Sequence, residues 1–151
     1  MIQGKWFPQG SDLTEALRIR EEVFGRSRDD VDDGAQSALV YQDEMPVASG
    51  RIWWQEGAFW LGDIGVLPAF RGQKLGDLTL RLLLFKAQEH YAREVRLLCP
   101  PDTEGFFTRL GFRRADVRED GSLELFIPGA EIDLDSCKSC KKKDCPRRVD
   151  S

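Results

Sequence analysis

The chain has 151 residues, of which 41% are hydrophobic and 32% are charged, and its formal net charge is -4. These values are typical of one globular domain and exclude a disordered chain, because there are enough apolar residues to form a core. No apolar run approaches the roughly 20 residues that cross a bilayer, and the N-terminus lacks a signal-peptide pattern. The negative charge gives no general attraction to nucleic acid or anionic lipid. We therefore expect a cytoplasmic protein with neither nucleic acid nor a membrane as its partner.

The first half of the chain predicts one helix followed by a series of strands. A helix is predicted over 12–24, because Asp12 and Glu15 have capping-box spacing and the apolar residues that follow share one face. The acidic stretch 25–34 shows no periodicity and is predicted to be a loop. The next segments are rich in β-branched and aromatic residues and predict an antiparallel meander. They span residues 37–41, 47–54 and 58–66.

The second half of the chain contains the longest periodic segment. Leucines at helical intervals predict a helix over 76–94, and a short buried strand is predicted over 95–99. A second helix is expected to end at Gly111, since glycine suits the left-handed closing position. A closing hairpin is predicted over 112–117 and 123–127. Together these elements predict an α+β fold with a mixed, mostly antiparallel sheet flanked by helices.

The turn before the long helix has a composition suited to an anion. It consists of Arg71, Gly72, Gln73, Lys74, Leu75, Gly76 and Asp77. The first N–H groups of a helix are unpaired and lie at the positive end of its dipole, so a turn that gathers them can hold a pyrophosphate. The two glycines permit close backbone approach, and the two basic side chains add charge-assisted contacts. The alternative is a tight strand-to-helix connection without a ligand.

Three motifs occur along the chain in a characteristic order. The turn from Arg71 to Gly76 is similar to the signature [QR]-x-x-G-x-[GA], with Lys74 in place of its middle glycine. Residues 19–24 read I-R-E-E-V-F, and residues 106–112 read F-F-T-R-L-G-F. In this order they resemble the GNAT superfamily of N-acetyltransferases, whose members carry the acetyl-CoA signature and F-Y-x-x-L-G-F and one branch of which has a similar first helix. The resemblance implies a GNAT-like fold, which we assign to residues 1–130.

This resemblance implies an enzyme that transfers an acetyl group from acetyl-CoA to a primary amine, carried by a small molecule or a peptide. The family uses free backbone N–H groups at the end of the fourth strand for the pantetheine arm and the thioester. In this sequence that role would fall to Ile64, Gly65, Val66 and Leu67. The seven turn residues from Arg71 to Asp77 would bind the pyrophosphate.

Acyl transfer also needs groups that accept and donate protons. Asp63 lies in the fourth strand beside the predicted acetyl site and is the candidate general base, the alternative being a salt-bridged strand carboxylate. The family's usual tyrosine acid is replaced by Phe107, which has no transferable proton. An alternative function is therefore an acyl-CoA-binding sensor or interaction module with little catalysis. Trp54 is a candidate for lining an acceptor pocket, the alternative being cross-strand packing.

The last segment, 131–151, is basic and rich in cysteine. Cys137 and Cys140 have the spacing of a zinc half-site, and Cys145 supplies a third thiolate. Two interpretations stay open, a tail that binds a metal ion such as zinc and a disordered tail with free thiols.

Overall fold

A computed structural model describes residues 1–134 of the chain. The strands are β1 (Ile2–Phe7), β2 (Gln36–Gln42), β3 (Met45–Gln55), β4 (Ala58–Val66), β5 (Glu94–Cys99), β6 (Arg113–Val117) and β7 (Leu123–Pro128). The helices are α1 (Thr14–Phe24), α2 (Leu75–Glu89) and α3 (Glu104–Thr108). One seven-stranded sheet has the order β1-β2-β3-β4-β5-β7-β6, and β4 with β5 is its parallel pair. The predicted α+β fold with a mixed, mostly antiparallel sheet is confirmed.

Helices α1 and α2 lie on opposite faces of the sheet and approach it closely at two glycines. A β-carbon at Gly50 in β3 would lie 2.9 Å from Leu83 of α2, and one at Gly65 in β4 would lie 2.9 Å from Phe24 of α1. Gly65 pairs with Ser49, the neighbour of Gly50, so the two glycines face opposite sides. The end of β4 is therefore held between two helices.

The ends of the described chain differ from the prediction. Strand β1 was not predicted, because its residues are largely exposed and show no alternating apolar pattern. Its backbone pairs with β2 from Ile2 to Phe7, which satisfies its hydrogen bonds at the sheet edge. At the other end, Ile132 is 6% exposed and belongs to the core, so the packed fold continues beyond residue 130. Within residues 1–134, no helix is both long and apolar enough to cross a membrane.

The acidic stretch predicted to be a loop contains a capped 3₁₀ turn at Asp30–Asp33. The carboxylate of Asp29 accepts a hydrogen bond from the Val31 N–H, and that of Asp32 accepts one from the Asp29 N–H. This reciprocal pair is a capping box. The predicted box at Asp12 does not form around α1, because Asp12 instead accepts hydrogen bonds from the backbone and hydroxyl of Thr14.

A group of charged side chains joins α1, the 3₁₀ turn, β3 and β4. We call it the arginine–aspartate cluster, and it consists of Arg20, Asp29, Asp32, Arg51 and Asp63. Arg20 forms a bidentate pair with Asp32 at 2.7 and 2.9 Å, and Arg51 forms one with Asp29 at 2.6 and 2.9 Å. Arg20, Asp32 and Arg51 are buried, which requires that their charges be compensated inside the cluster.

The turn from β4 to α2 requires a left-handed backbone at two positions. Gly72 has a φ of 88°, and Lys74, the residue before the helix, has φ 62° and ψ 25°. Glycine adopts this conformation freely, whereas a residue with a β-carbon pays an energetic cost. The carbonyl of Lys74 accepts the first helical hydrogen bond, from the N–H of Leu78 at 3.1 Å. Lys74 thus occupies a position whose geometry favours glycine.

We expect the substitution Lys74→Gly to raise the free energy of unfolding by roughly 0.5–1 kcal/mol, because it removes the left-handed strain. Urea denaturation at neutral pH measures this difference. Lys86→Gly, in the last turn of α2 where φ is not positive, is the control and should destabilise the protein by about 1 kcal/mol. A loss of stability in the Lys74 variant would contradict the strain argument.

The buried carboxylate of Asp32 makes the free energy of unfolding depend on pH in the acidic range. Burial alone would raise the pKa of Asp32, but hydrogen bonds from Arg20 and the Asp29 backbone, with the charges of Arg20 and Arg51, lower it from 3.8 to about 2. A carboxylate with a lowered pKa in the folded state contributes stability that is complete above its unfolded pKa and is lost as the pH falls through its folded pKa. The shift corresponds to roughly 2 kcal/mol.

We therefore expect the wild-type free energy of unfolding to fall between about pH 4 and pH 2. Asp32→Asn should lose at least about 2 kcal/mol at pH 7 and show a flatter dependence below pH 4. Urea titrations followed by tryptophan fluorescence across this range provide the measurement. Asp30→Asn, an exposed position in the same turn, serves as the control and should keep the wild-type slope. Parallel pH curves for Asp32→Asn and the wild type would refute the assignment.

Candidate functional site

Strands β4 and β5 separate partway along their length. They pair only over Phe59–Leu61 and Val95–Leu97. Beyond that point β4 continues along β3 as far as Val66, while β5 continues along β7 as far as Cys99. The two strands therefore form a V-shaped cleft that opens toward their carboxyl ends.

The backbone at the end of β4 faces this cleft at Val66. The N–H of Leu67 donates to the Val47 carbonyl of β3 at 2.9 Å. Because successive residues of a strand direct their N–H and C=O groups to opposite sides, those of Val66 point away from β3. The Val66 carbonyl accepts a hydrogen bond from Arg71 Nε at 3.0 Å, which agrees with this direction. The N–H group of Val66 thus points into the cleft, on the side of β4 where β5 no longer pairs with it.

Helix α2 begins at the mouth of the same cleft. Its first backbone hydrogen bond is donated by Leu78, so the preceding N–H groups lack partners within the helix. A β-carbon at Gly76 would lie 3.6 Å from Val66 Cγ2 and 3.6 Å from Phe106 Cζ of α3. The structure therefore brings together the end of β4, the start of α2 and α3, which include the residues predicted to bind the thioester arm and the pyrophosphate.

The predicted turn residues differ in what they can offer a ligand. Arg71 and Lys74 are exposed, and neither forms an ion pair with any residue in 1–134. Leu75 is buried, so it can contribute only its backbone. Asp77 is paired with Arg81 at 2.8 Å one helical turn later and is positioned to interact with the helix dipole. The positive charge at the cleft mouth comes from Arg71, Lys74 and the helix N-terminus.

Asp63, the candidate general base, is already surrounded by guanidinium groups. Its Oδ1 lies 2.5 Å from Arg26 Nη2, and its Oδ2 lies 2.9 Å from Arg51 Nη2 and 3.3 Å from Arg20 Nε. The side chain is only 5% exposed. A carboxylate shielded in this way has no free face toward an amine in the cleft, so its placement argues against the general base and favours the salt-bridged alternative.

Phe107 lies in the core. Its ring packs edge-on against Phe106 and Phe112, with centroids 5.0 and 6.0 Å away, and the residue is 9% exposed. Neither tyrosine of the described chain lies on β4, β5 or α3, since Tyr41 belongs to β2 and Tyr91 follows α2. Within residues 1–134, strands β4 and β5 and helix α3 therefore carry no tyrosine that could donate a proton in the cleft.

Trp54 lies far from the opening of the cleft. It packs edge-on against Phe59 at 4.9 Å, beside the β3–β4 turn and at the opposite end of β4 from Val66. This contact favours cross-strand packing over a role in an acceptor pocket.

The structure reveals pockets that were not predicted from the sequence. One, of about 240 Å³, is lined by Glu56, Ala58, Trp60, Glu94, Arg96, Arg118 and Glu124. A more open one, of about 460 Å³, is lined by Leu98, Arg118, Glu119, Asp120 and Ser122. They share Arg118 and lie against β5, where Glu94, Arg96 and Leu98 alternate with the buried Val95, Leu97 and Cys99. This alternation of polar and apolar residues in the sequence indicates that one face of β5 is open to solvent, because a strand buried on both faces would be apolar throughout.

The predicted zinc ligands Cys137, Cys140 and Cys145 lie outside the described residues. Within residues 1–134, no three His, Cys, Asp or Glu side chains are grouped so as to hold a metal ion. Cys99 is buried at the end of β5, and burial raises the pKa of its thiol.

Comparison with known structures agrees with this architecture. An acyl-CoA N-acyltransferase from Pseudomonas aeruginosa superposes with a TM-score of 0.76 at 19% identity, covering 83% of this chain and 99% of that one. ElaA from Escherichia coli gives 0.72 at 19% identity, with the same coverage. A GNAT family acetyltransferase from Elizabethkingia anophelis, solved with acetyl-CoA bound, gives 0.70 at 14% identity and covers 84% of this chain and 97% of that one.

Sequence comparisons identify the family. The uncharacterized N-acetyltransferase YjcF of Bacillus subtilis is 26% identical over 128 residues, which cover 80% of this chain and 90% of that protein. The family model described as an acetyltransferase (GNAT) domain matches residues 33–114, more than half of the chain. The protein belongs to the GNAT acetyltransferase family.

Proposed function

We propose that this protein transfers an acetyl group from acetyl-CoA to a primary amine of a small molecule or peptide. The observation that carries the proposal is the cleft in which the N–H of Val66 lies beside the unpaired N-terminus of α2. Membership of the GNAT acetyltransferase family supports acyl transfer from an acyl-CoA. The acetyl-CoA bound to the Elizabethkingia anophelis relative supports the choice of donor.

The cleft residues fit the two ends of this donor. The first N–H groups of α2 and the charges of Arg71 and Lys74 would hold the pyrophosphate. The absence of a side chain at Gly76 leaves the approach between Val66 and Phe106 open. Bound acetyl-CoA supplies a thioester whose carbonyl carbon accepts the amine. An N–H group on the open side of β4 would stabilise negative charge that develops on the carbonyl oxygen.

Proton transfer in this site would rely on water. The amine forms a C–N bond as the C–S bond breaks, so the nitrogen loses a proton and the thiolate gains one. Asp63 is shielded by arginines, and Phe107 has no proton to donate. The protein would therefore bind the donor and select the neutral amine, while solvent takes up and returns the proton.

The acceptor would approach on the sheet face opposite α2, through the more open pocket beside the carboxyl end of β5. Leu98 supplies apolar surface there, while Glu119 and Asp120 supply carboxylates at the rim. This face borders the separation of β4 and β5 from the side opposite α2, whose leucines fill the other face. An amine entering from this side reaches the thioester without crossing the core.

A second candidate, an acyl-CoA sensor with little catalysis, is favoured by one observation. The described part of the cleft contains no tyrosine that could protonate the thiolate, because Phe107 is packed in the core. Both functions require acyl-CoA binding, so turnover distinguishes them.

The proposed donor site predicts a phosphate-dependent affinity. We expect acetyl-CoA to stabilise the protein against heat, by roughly 2.7 kcal/mol at a hundredfold excess over its Kd. Lys74→Ala should weaken CoA binding by about tenfold and leave the weaker binding of pantetheine, which lacks the phosphates, unchanged. Isothermal titration calorimetry measures both ligands. The control is Arg113→Ala on the edge strand β6, which should bind both as the wild type does. No stabilisation of the wild type by acetyl-CoA would refute the donor site.

Catalysis predicts a particular pH profile. Thiol release from acetyl-CoA, measured with a panel of alkylamines, polyamines and peptides, should rise with pH up to the pKa of each amine, about 10 for an alkylamine and about 8 for a peptide α-amino group. The reason is that solvent, rather than a carboxylate of the site, removes the proton. Binding of acetyl-CoA without thiol release on any amine would favour the sensor.

A further inference from the structure

Strand β4 contains an irregularity at the point where it leaves β5. Arg51 of β3 pairs with Gly62, whereas Ser49 pairs with Gly65. One residue of β3 therefore faces two residues of β4, Asp63 and Ile64, which is the arrangement of a β-bulge. A bulge turns the strand that carries it, so the direction of the following backbone groups depends on it.

The backbone of Asp63 is strained within this bulge. Its φ is 52°, in the left-handed region, which aspartate adopts more readily than most residues but still at a cost. Such a conformation persists only when its surroundings hold it in place. Here the surroundings hold the strained backbone through contacts with the side chain of Asp63.

The carboxylate of Asp63 contacts Arg26, Arg51 and Arg20, and the last two are themselves fixed. Arg51 is oriented by its bidentate pair with Asp29, and Arg20 by its bidentate pair with Asp32. Both guanidinium groups then contact Asp63 Oδ2, at 2.9 and 3.3 Å, without an aligned hydrogen bond. The contact is therefore an ion-pair attraction between the Asp63 carboxylate and two guanidinium groups whose positions are set by other residues. Strand β4 has to bend at the bulge to bring the carboxylate to them.

The residues after Asp63 have little freedom to correct a displaced bulge. Gly65 lies against Val23 and Phe24 of α1, where a β-carbon would come within 3.0 and 2.9 Å. Val66 is joined to the following turn through Arg71. A shift at Asp63 would be passed on to Val66 and to its N–H in the cleft.

We propose that Asp63 is a positioning residue for the donor site: held by Arg51 and Arg20, it fixes the β4 bulge and so aims the Val66 N–H into the cleft. This inference rests on the proposed function, since it assigns a role at the acetyl-CoA site. It gives the buried charges on β3 and α1 a purpose beyond stability. The carboxylate acts through the backbone of its own strand.

Two matched variants separate positioning from stability. Asp63→Asn and Glu124→Gln each remove one buried carboxylate that pairs with two or more arginines. Only Asp63 lies on β4, and asparagine tolerates the left-handed conformation as well as aspartate does. We expect both variants to be less stable, with Asp63→Asn binding CoA at least about tenfold more weakly and Glu124→Gln, on β7 and outside the arginine–aspartate cluster, within about twofold of the wild type. Calorimetry below the unfolding temperature of both variants measures the affinity of the folded protein.

A third variant covers the case in which Asp63→Asn does not fold. Asp63→Glu keeps the cluster's charge but moves the carboxylate by one methylene, so the bulge has to shift to meet the arginines. It should also bind CoA about tenfold more weakly. Wild-type affinity in the folded Asp63 variants, or equal weakening in Glu124→Gln, would overturn the inference while leaving the donor site intact. Absence of CoA binding by the wild type would overturn the proposed function and this inference together.

Discussion

The separation of β4 from β5 is the constraint on which the rest of the site depends. Strand β5 pairs with both β4 and β7 over Val95–Leu97 but only with β7 from there to Cys99, while β4 stays with β3. The end of β4 consequently has hydrogen-bonding groups on one side with no strand to pair them. Unpaired backbone groups at a cleft have to be satisfied by water or a ligand. An extended ligand with amide and carbonyl groups, such as a pantetheine arm, can supply the partners that β5 does not.

The glycines on either side of this opening keep it rigid. Gly50 allows α2 to lie directly on β3, and Gly65 allows α1 to lie directly on β4, so both faces are clamped near the bulge. Gly76 serves a different purpose. A β-carbon at this position would make only ordinary van der Waals contacts, so the packing of the protein does not require glycine here. Its small size instead leaves the helix N-terminus accessible. Rigidity and access therefore come from different glycines.

The parts of the fold set by local pattern were predictable from the sequence. The leucine periodicity gave α2, and the turn with Arg71 and Gly76 was correctly placed at its start. The roles that depend on distant partners were not predictable: Asp63 was considered as a base because the sequence does not show that Arg20 and Arg51 reach it. Strand β1 was missed because a ladder at an exposed edge needs no apolar pattern. The left-handed φ of Lys74 supplies the physical reason why a glycine fits this position of the signature.

The proposed site depends on backbone atoms more than on side chains. Loss of a single basic side chain in the turn would remove one contact with the pyrophosphate and lower the affinity for CoA by about tenfold. A displaced bulge would instead move several N–H groups together, because they belong to one continuous strand. This difference explains why buried charges can matter to a site that they do not touch. Buried ion pairs often add little net stability over apolar residues of similar volume, so the strand geometry that the arginine–aspartate cluster enforces is the contribution that apolar residues could not make.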